Sequence, residues 1–246
     1  MAGGSREVGI MKKGLLAATL VGGLALPVQA AELGLSATTV FTTDYIFRGY
    51  SLTSQNPAVQ PEFDLTYGIF YAGIWGSNTT LDGSVEIDYY AGIAPTWKGI
   101  AFNIGGLAYT YPSTKPAIDY FEAKTGASYT FGEKLTIGVV NYWSPDYAQL
   151  GFEEDAVEGA IAYAFSGKLF NFFSPSISAL VGYQWFEEDI PNYVYWNAGL
   201  TLGFMEHWSL DVRYWDTDYS KADCVILIGE RSSCDGRVVG TVKAVF

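Results

Sequence analysis

The amino-acid sequence predicts an all-β protein, a transmembrane antiparallel β-barrel of about twelve strands that is exported behind a signal peptide. Three observations support this prediction: an N-terminal export leader, segments of about ten residues in which apolar and polar residues alternate, and aromatic residues at the ends of the apolar faces. Together they favour a barrel in the outer membrane of a bacterium over a helical membrane protein or a soluble enzyme.

The first thirty residues have the composition of a secretory signal peptide. Lys12 and Lys13 lie in a short basic region, residues 14–27 form an apolar run rich in small residues, and Ala30 precedes the expected cleavage site. The apolar run is too short to cross a bilayer as a helix. We therefore expect residues 1–30 to be a signal peptide with an N-terminal extension, and residues 31–246 to form one outer-membrane β-barrel.

The composition of the mature chain excludes two classes of protein. Cleavage after Ala30 leaves 11 basic and 25 acidic residues, a net charge of −14. A chain this acidic offers few cations to phosphate groups, so we expect no nucleic-acid partner. Beyond the leader no run reaches 18 consecutive apolar residues, which excludes membrane-spanning helices.

Alternation of apolar and polar residues identifies the strands, because successive side chains of a strand point to opposite faces. In residues 59–67, for example, Phe63 and Leu65 alternate with Glu62 and Asp64. The pattern recurs in residues 84–93, 120–131, 135–143, 157–165, 177–185, 194–204, 208–214 and 238–246, and more weakly near 35–47, 69–77 and 100–111. The apolar faces carry no charge, as expected where a charge facing lipid costs about 2–4 kcal/mol at the bilayer midplane.

A soluble β-sandwich would also alternate, but it would place aliphatic residues in its core and polar residues outside. In this chain the apolar faces end in aromatic residues, as at an interfacial girdle: Trp143, Phe165, Trp185, Phe204, Trp208 and Phe246. An even number of strands also allows an antiparallel barrel to close without an unpaired edge. These features favour the barrel.

The lengths of the connections predict the orientation. Short connections near residues 67–70, 95–99, 131–134 and 204–208 are typical of periplasmic turns. Most of the alternate connections are longer and more polar, as extracellular loops are; they lie near residues 48–57, 77–83, 111–117, 144–155, 186–192 and 216–236. The connection at 166–175 is longer than this scheme predicts on the periplasmic side.

The same alternation predicts which charged side chains line the lumen. The acidic ones are Asp44, Glu62, Asp64, Glu86, Asp88, Glu122, Glu158 and Asp211; the basic ones are Arg48, Lys124, Arg213, Arg237 and Lys243. Asp44 and Arg48 share a predicted face and are expected to pair, as are Glu122 and Lys124. A charged interior suits water, and an acidic excess favours cations weakly. A twelve-stranded lumen lies between those of filled and open barrels, so it is either narrow or blocked.

The charged lumen favours a passive channel for small hydrophilic solutes. Two alternatives to this function remain. The first is a structural or adhesive barrel whose interior charges pair and close it. The second is a lipid-modifying barrel enzyme, which would need a nucleophile near a histidine and an acid. His207 is the single histidine, it falls in a predicted periplasmic turn, and no Gly-x-Ser-x-Gly motif occurs. We therefore expect no enzyme, no catalytic residues, no cofactor and no metal.

Loop residues allow three further expectations. Acidic clusters at 153–155, 187–189 and 216–218 lack the spacing of a calcium loop, so we interpret them as solvated loop charge. Cys224 and Cys234 fall in the last outer loop, where an oxidising compartment favours a disulfide. The apolar residues 225–228 between them are expected to extend a strand or to fold into the barrel mouth as a partial plug.

Several segments of the sequence resemble those of a known protein family. The sequences Asp-Tyr-Ile-Phe-Arg-Gly at residues 44–49 and Asn-Pro-Ala-Val-Gln at 56–60 resemble a proteobacterial family of porins called TorF. Further similar segments lie at 68–78, 86–92 and 109–112, and the resemblance is strongest over residues 40–130. It implies an outer-membrane location and passage of small solutes, and it gives no catalytic residues.

An outer-membrane location implies three further partners: membrane lipid, lipopolysaccharide and the barrel-assembly machinery. The terminal Phe246 lies on the lipid face of the last strand. It is similar to the C-terminal aromatic signal that outer-membrane insertion machinery reads, so we expect it to act as the assembly signal.

Overall fold

The computed structural model describes residues 33–81, 85–112, 114–187 and 190–246. The predicted signal peptide lies outside these ranges, as do residues 188 and 189 of the second acidic cluster. Within them, no helix is long and apolar enough to cross a bilayer.

Twelve strands form the barrel, which confirms the predicted fold class. Most are nine to twelve residues long, because alternating side chains of that length cover the apolar thickness of an outer membrane at the usual strand tilt. The strands are β1 (Leu33–Thr42), β2 (Ala58–Tyr67), β3 (Phe70–Asn78), β4 (Val85–Ile93), β5 (Ile100–Thr110), β6 (Tyr120–Phe131), β7 (Leu135–Ser144), β8 (Glu154–Ala164), β9 (Ser174–Phe186), β10 (Tyr193–Phe204), β11 (Trp208–Thr217) and β12 (Arg237–Val245).

Each strand pairs antiparallel with its neighbours in sequence, and the first pairs with the last. At this seam Thr38 lies opposite Val245 and Thr42 lies opposite Thr241. Phe246 extends the seam, because its backbone N–H donates to the Ala37 carbonyl at 2.9 Å and its carbonyl accepts from the Ala37 N–H at 2.9 Å. The ring of twelve strands is therefore closed, as a barrel in lipid requires.

The outer surface of the barrel is apolar. Leu35, Phe63 and Val212 are each more than half exposed, although such side chains are normally buried in soluble proteins. Among the described outward-facing strand residues, the only charged ones are Asp155 and Asp216, both at the extracellular ends. A closed barrel with this exterior belongs in the bacterial outer membrane.

The connections at the two ends differ as predicted. The periplasmic turns at residues 68–69, 132–134 and 205–207 are short, that at 94–99 is intermediate, and that at 165–173 is longer. The last extracellular loop contains the helix α1 (Lys221–Ile228).

The predicted strand at 35–47 is too long, because β1 ends at Thr42.

The first extracellular loop, residues 43–57, folds into the barrel, so the prediction that residues 48–57 form an outer loop is wrong. Ile46–Phe47 pairs with Tyr50–Ser51 in a small hairpin, which we call the inner hairpin. Tyr45, Tyr50 and Leu52 are at most 8% exposed. These apolar groups are buried by folding back into the lumen, where wall side chains surround them.

Candidate functional site: the lumen and its inward loop

A two-residue turn forms the tip of the inner hairpin. Arg48 has φ 42° and Gly49 has φ 90°, as in the type I′ turns that match the twist of paired strands. A Cβ atom on Gly49 would lie 2.6 Å from the Cβ atom of Tyr195 in the wall. Glycine is therefore required both for the turn and for the close approach of the hairpin to β10.

Arg48 projects from this tip into a buried acidic site. Its guanidinium donates from Nη1 to Glu154 Oε1 at 2.5 Å and from Nη2 to Glu122 Oε2 at 2.8 Å. Gln184 contacts Nη1 at 3.5 Å and also donates to Glu154. The Arg48 guanidinium carbon lies 4.8 Å from the ring centre of Tyr142. The loop is thus held by charge-assisted bonds to three strands of the wall.

Asp44 holds the base of the inner hairpin. Its carboxylate accepts from the Ser51 hydroxyl at 2.6 Å, from the Thr53 hydroxyl at 2.8 Å and from Arg237 Nη1 at 2.8 Å. The predicted Asp44–Arg48 pair is therefore wrong: Asp44 lies at the base of the inner hairpin and Arg48 at its tip, so each finds a partner in the wall. In place of the predicted Glu122–Lys124 pair, Glu122 accepts a hydrogen bond from Arg48.

The extracellular half of the lumen is closed to water. Glu86, Glu122 and Glu154 face inward and are 0% exposed. An aromatic cluster surrounds the inner hairpin there and includes Tyr45, Tyr50, Tyr147, Phe152, Phe186, Tyr193 and Tyr195. Tyr147 and Phe152 belong to the fourth loop, so that loop completes the closure.

The periplasmic half of the lumen is partly open to water. Its inward-facing residues are small or polar and only half-buried, among them Ser36, Thr66, Ser128, Gly138, Ala162 and Thr201. Glu62 and Asp64 lie on this wall and share the Tyr90 hydroxyl, which donates at 2.9 Å and 2.5 Å. The lumen is therefore a vestibule on the periplasmic side with an inward-folded loop above it.

The remaining predicted lumen residues all lie on inward faces of the strands. Glu158 accepts from the Tyr195 hydroxyl at 2.7 Å, and Asp88 is 7% exposed. Arg213 forms an ion pair with Asp211 at 3.1 Å. Two lysines complete the set: the Lys124 ammonium lies 5.7 Å from the Tyr142 ring, and Lys243 is half-buried.

Glu154 faces the lumen but is not among the lumen residues predicted from the sequence. The sequence interpretation placed this residue in a solvated cluster at 153–155, whereas Glu154 is the first residue of β8 and is fully buried against Arg48. Its place in the alternation indicates that it faces the lumen, since Glu154, Ala156 and Glu158 fall on one face of a strand. Extending the alternation three residues before its clear start at Val157 would have found it.

Burial and charge determine the protonation of the first extracellular loop, residues 43–57, which we call the inward loop. Burial and the nearby carboxylates of Glu86 and Asp88 raise the pKa of Tyr45 well above its usual value, so its hydroxyl remains a donor to Glu86. Burial lowers the pKa of Arg48, the nearby groups led by Glu122 and Glu154 raise it, and the result lies well above the usual value. Arg48 is therefore a permanent cation.

The last loop covers the mouth beside the inward loop. Cys224 and Cys234 form a disulfide with their Cα atoms 6.0 Å apart. The apolar residues between them form α1 rather than a strand extension, and Leu227 and Ile228 pack against the aromatic cluster while Ile226 stays exposed. The main plug is thus the first loop, with α1 beside it. The two loops are joined by a hydrogen bond, in which Gln55 Nε2 donates to the Ser232 carbonyl at 3.3 Å.

His207 and the described residues of the acidic clusters lie at opposite ends of the barrel. The His207 ring stacks on Phe246 at 5.2 Å, and its Nδ1 lies 2.7 Å from the Val245 carbonyl at the periplasmic end. Across the described ranges, no group of three or more histidine, cysteine, aspartate or glutamate side chains has the arrangement of a metal site.

Comparison with known proteins shows the fold and the family. A search of the curated proteins found no match. Among solved structures, the chain is similar to the KdgM porin, with a TM-score of 0.57 and 10% identity over 86% of this chain and 99% of that one. The KdgM porin in complex with disordered oligogalacturonate has a TM-score of 0.56 and 9% identity, covering 86% of this chain and 98% of that one. The NanC porin has a TM-score of 0.52 and 8% identity, again covering 86% and 98%. The family model described as "Bacterial protein of unknown function (Gcw_chp)" matches residues 28–246, nearly the whole chain, and the chain therefore belongs to this family.

Proposed function

We propose that this barrel is a porin-like channel for passive movement of small hydrophilic solutes or ions, with a weak preference for cations. The observation that carries the proposal is the lumen itself: a closed barrel encloses a charged interior whose periplasmic half is partly open to water. A barrel that served only as a structural element would be expected to fill this space with packed side chains. The similar porin structures and the TorF-like segments at residues 44–49 and 56–60 support the same function.

The cation preference follows from the charge of the lumen. With Glu154 added, nine acidic and five basic side chains face inward. Low-dielectric walls focus the field of such an excess, and acidic rings favour counter-cations. Several of these charges are paired, as Asp44 is with Arg237 and Asp211 is with Arg213. Pairing reduces the field, so we expect a weak preference and not exclusion of anions.

Planar-bilayer recordings in asymmetric KCl test the proposal. We expect single-channel conductance and a reversal potential on the cation-selective side at low salt. The preference should fade as salt rises, because the screening length falls from about 10 Å at 0.1 M to about 3 Å at 1 M. Anion selectivity at low salt would contradict the proposed preference.

A matched pair of variants tests whether carboxylates of the vestibule set the preference. Glu62→Gln with Asp64→Asn removes two charges from the water-accessible lumen, so the reversal potential should move toward zero. Asp155→Asn with Asp216→Asn removes two charges from the outer rim and should leave it unchanged. An equal effect of both pairs would show that Glu62 and Asp64 do not line the conducting path.

The second candidate, a closed structural or adhesive barrel, is favoured by one observation. The inward loop seals the extracellular half, where Glu86, Glu122 and Glu154 have no exposed surface. A channel therefore requires movement of residues 43–57. Absence of conductance over the full voltage range, both in the native barrel and after deletion of residues 46–51, would favour the structural barrel over the channel.

A further inference from the structure

Arg48 occupies a site with the features of a receptor for a guanidinium group. Two carboxylates bind it, from Glu122 at 2.8 Å and from Glu154 at 2.5 Å. Two aromatic rings, of Phe47 and Tyr142, each lie 4.8 Å from its central carbon. A planar, delocalised cation suits paired carboxylates and ring faces better than a compact, strongly hydrated ammonium ion does.

We propose that this site binds the guanidinium group of small solutes that enter the lumen, and that Arg48 is a tethered occupant which such solutes replace. The inference rests on the proposed channel function and adds a solute class to it. Arg48 then acts as an intramolecular competitor that keeps the site filled when no solute is present.

Most of the site belongs to the wall and not to the loop. Glu122, Tyr142, Glu154 and Gln184 lie on four adjacent strands, β6 to β9, whose pairing does not depend on the inner hairpin. Gln184 donates to Glu154, and Tyr109 donates to Glu122 at 2.9 Å, so both carboxylates are oriented by wall residues. The wall would therefore keep its arrangement when Arg48 moves away.

The charge of the surroundings favours a cation in this position. If Arg48 left without replacement, two buried carboxylates would remain without their counter-ion, which is strongly unfavourable. Glu86 and Asp88 are buried in the same half of the lumen and present further carboxyl groups there. An incoming cation is favoured by this field and an anion is opposed by it.

The first test asks whether the wall binds free guanidinium. Arg48→Ala is purified in detergent, and its thermal unfolding temperature is measured with millimolar methylguanidinium chloride or with sodium chloride at equal ionic strength. We expect a lower unfolding temperature than that of the native barrel, and recovery of part of the loss with methylguanidinium alone. The triple variant Arg48→Ala, Glu122→Gln, Glu154→Gln should show no recovery.

Two results of this test would overturn the proposal. One is no recovery by methylguanidinium in a folded Arg48→Ala barrel. The other is equal recovery by sodium chloride, which would indicate general screening rather than a site.

The second test keeps Arg48 in place and therefore does not depend on the folding of the alanine variant. Leu52, in the inward loop, is 4% exposed, so a Leu52→Cys thiol should react slowly with a water-soluble maleimide. Methylguanidinium should accelerate the reaction severalfold by displacing Arg48, whereas sodium chloride at equal ionic strength should not. An unchanged rate would show that solutes do not replace Arg48.

Neither test requires conductance, so the two proposals fail separately. A barrel that binds methylguanidinium but never conducts would overturn the channel function and retain the site. A conducting barrel that shows neither recovery nor accelerated labelling would retain the channel and overturn the site.

Discussion

At the scale of single residues, tyrosine–glycine pairs shape the wall of the lumen. Tyr195 lies directly opposite Gly182 on the neighbouring strand, and Tyr90 lies opposite Gly73 in the same way. A Cβ atom at Gly182 would lie 2.2 Å from the Tyr195 ring. These glycines allow the rings to lie against the wall, so that hydroxyl groups reach the carboxylates without filling the lumen.

Gly182→Ala is therefore expected to destabilise the barrel. The added methyl group must displace the Tyr195 ring, and overpacking of this kind costs about 1–3 kcal/mol. Gly159 provides a matched control, since it lies on the adjacent strand and a Cβ atom there would have no heavy atom within 4 Å. The temperature of the heat-modifiable gel shift should fall for Gly182→Ala and stay unchanged for Gly159→Ala. Equal temperatures for the two variants would refute the role assigned to Gly182.

At the level of secondary structure, the connections between strands adopt conformations that the alternation of apolar and polar residues does not predict. The last loop is ordered by α1, which Ser220 caps by accepting from the Asp223 N–H, and by the disulfide. The longer periplasmic turn at 165–173 leans outward, because the rings of Phe172 and Phe173 lie 5.8 Å and 5.7 Å from that of the lipid-facing Phe204. The last loop and the turn at 165–173 each lead to a testable prediction.

Loss of the disulfide should loosen the last loop and spare the barrel. A cross-link over ten residues contributes about 3 kcal/mol in the chain-entropy account, because it restricts the unfolded loop. The double variant Cys224→Ser, Cys234→Ser should be cleaved by protease within residues 218–236 faster than the native protein. Its heat-modifiable gel shift should persist, since the twelve strands pair without this loop. Unchanged cleavage would show that α1 and its contacts suffice to order the loop.

The turn at 165–173 is expected to rest in the inner leaflet of the outer membrane. Phe170 at its tip is 83% exposed, and Leu169 is 44% exposed beside the apolar exterior of the barrel. A spin label at Phe170→Cys should collide more often with oxygen, which partitions into lipid, than with a water-soluble nickel complex. A label at Glu133→Cys, in a polar periplasmic turn, should show the reverse. Higher nickel accessibility at residue 170 would place the turn in water and leave its apolar surface to another partner.

At the scale of the whole molecule, closure depends on the seam between the first and last strands. β1 and β12 are the most distant strands in sequence, yet they must pair before the barrel can close. Phe246 lies at the periplasmic end of this seam, where its ring contacts those of His207 and Trp208. A lipid-facing aromatic at this point is well placed to be read while the seam is still open.

Deletion of Phe246 should reduce assembly of the barrel in the outer membrane. The expected reasons are loss of the assembly signal and loss of two backbone hydrogen bonds to Ala37. Phe246→Tyr keeps the ring and the backbone and should assemble almost normally. The amount of heat-modifiable protein in outer-membrane fractions measures both. Normal assembly of the deletion variant would remove Phe246 from the assembly mechanism.

Local sequence patterns predict most of the strands, their inward and outward faces and the two ends of the barrel. Alternation places Glu62, Glu86, Glu122 and Lys124 inside because each strand has a side-chain period of two, and this rule is local. The lipid environment reinforces it, since a charge on the wrong face is costly. For these reasons the fold and most of the charged interior could be predicted without coordinates.

The pairing of the charges and the filling of the extracellular half of the lumen depend on tertiary contacts. Local patterns predict a strand over residues 35–47 and an exposed loop over residues 48–57, because turn residues say nothing about whether the chain folds outward or inward. The inward direction depends on partners more than seventy residues away, Glu122 and Glu154, which meet Arg48 only after the ring has closed. Such long-range contacts are absent from any local pattern, and for that reason the pairing of Arg48 and the plug that it anchors were visible only in the folded barrel.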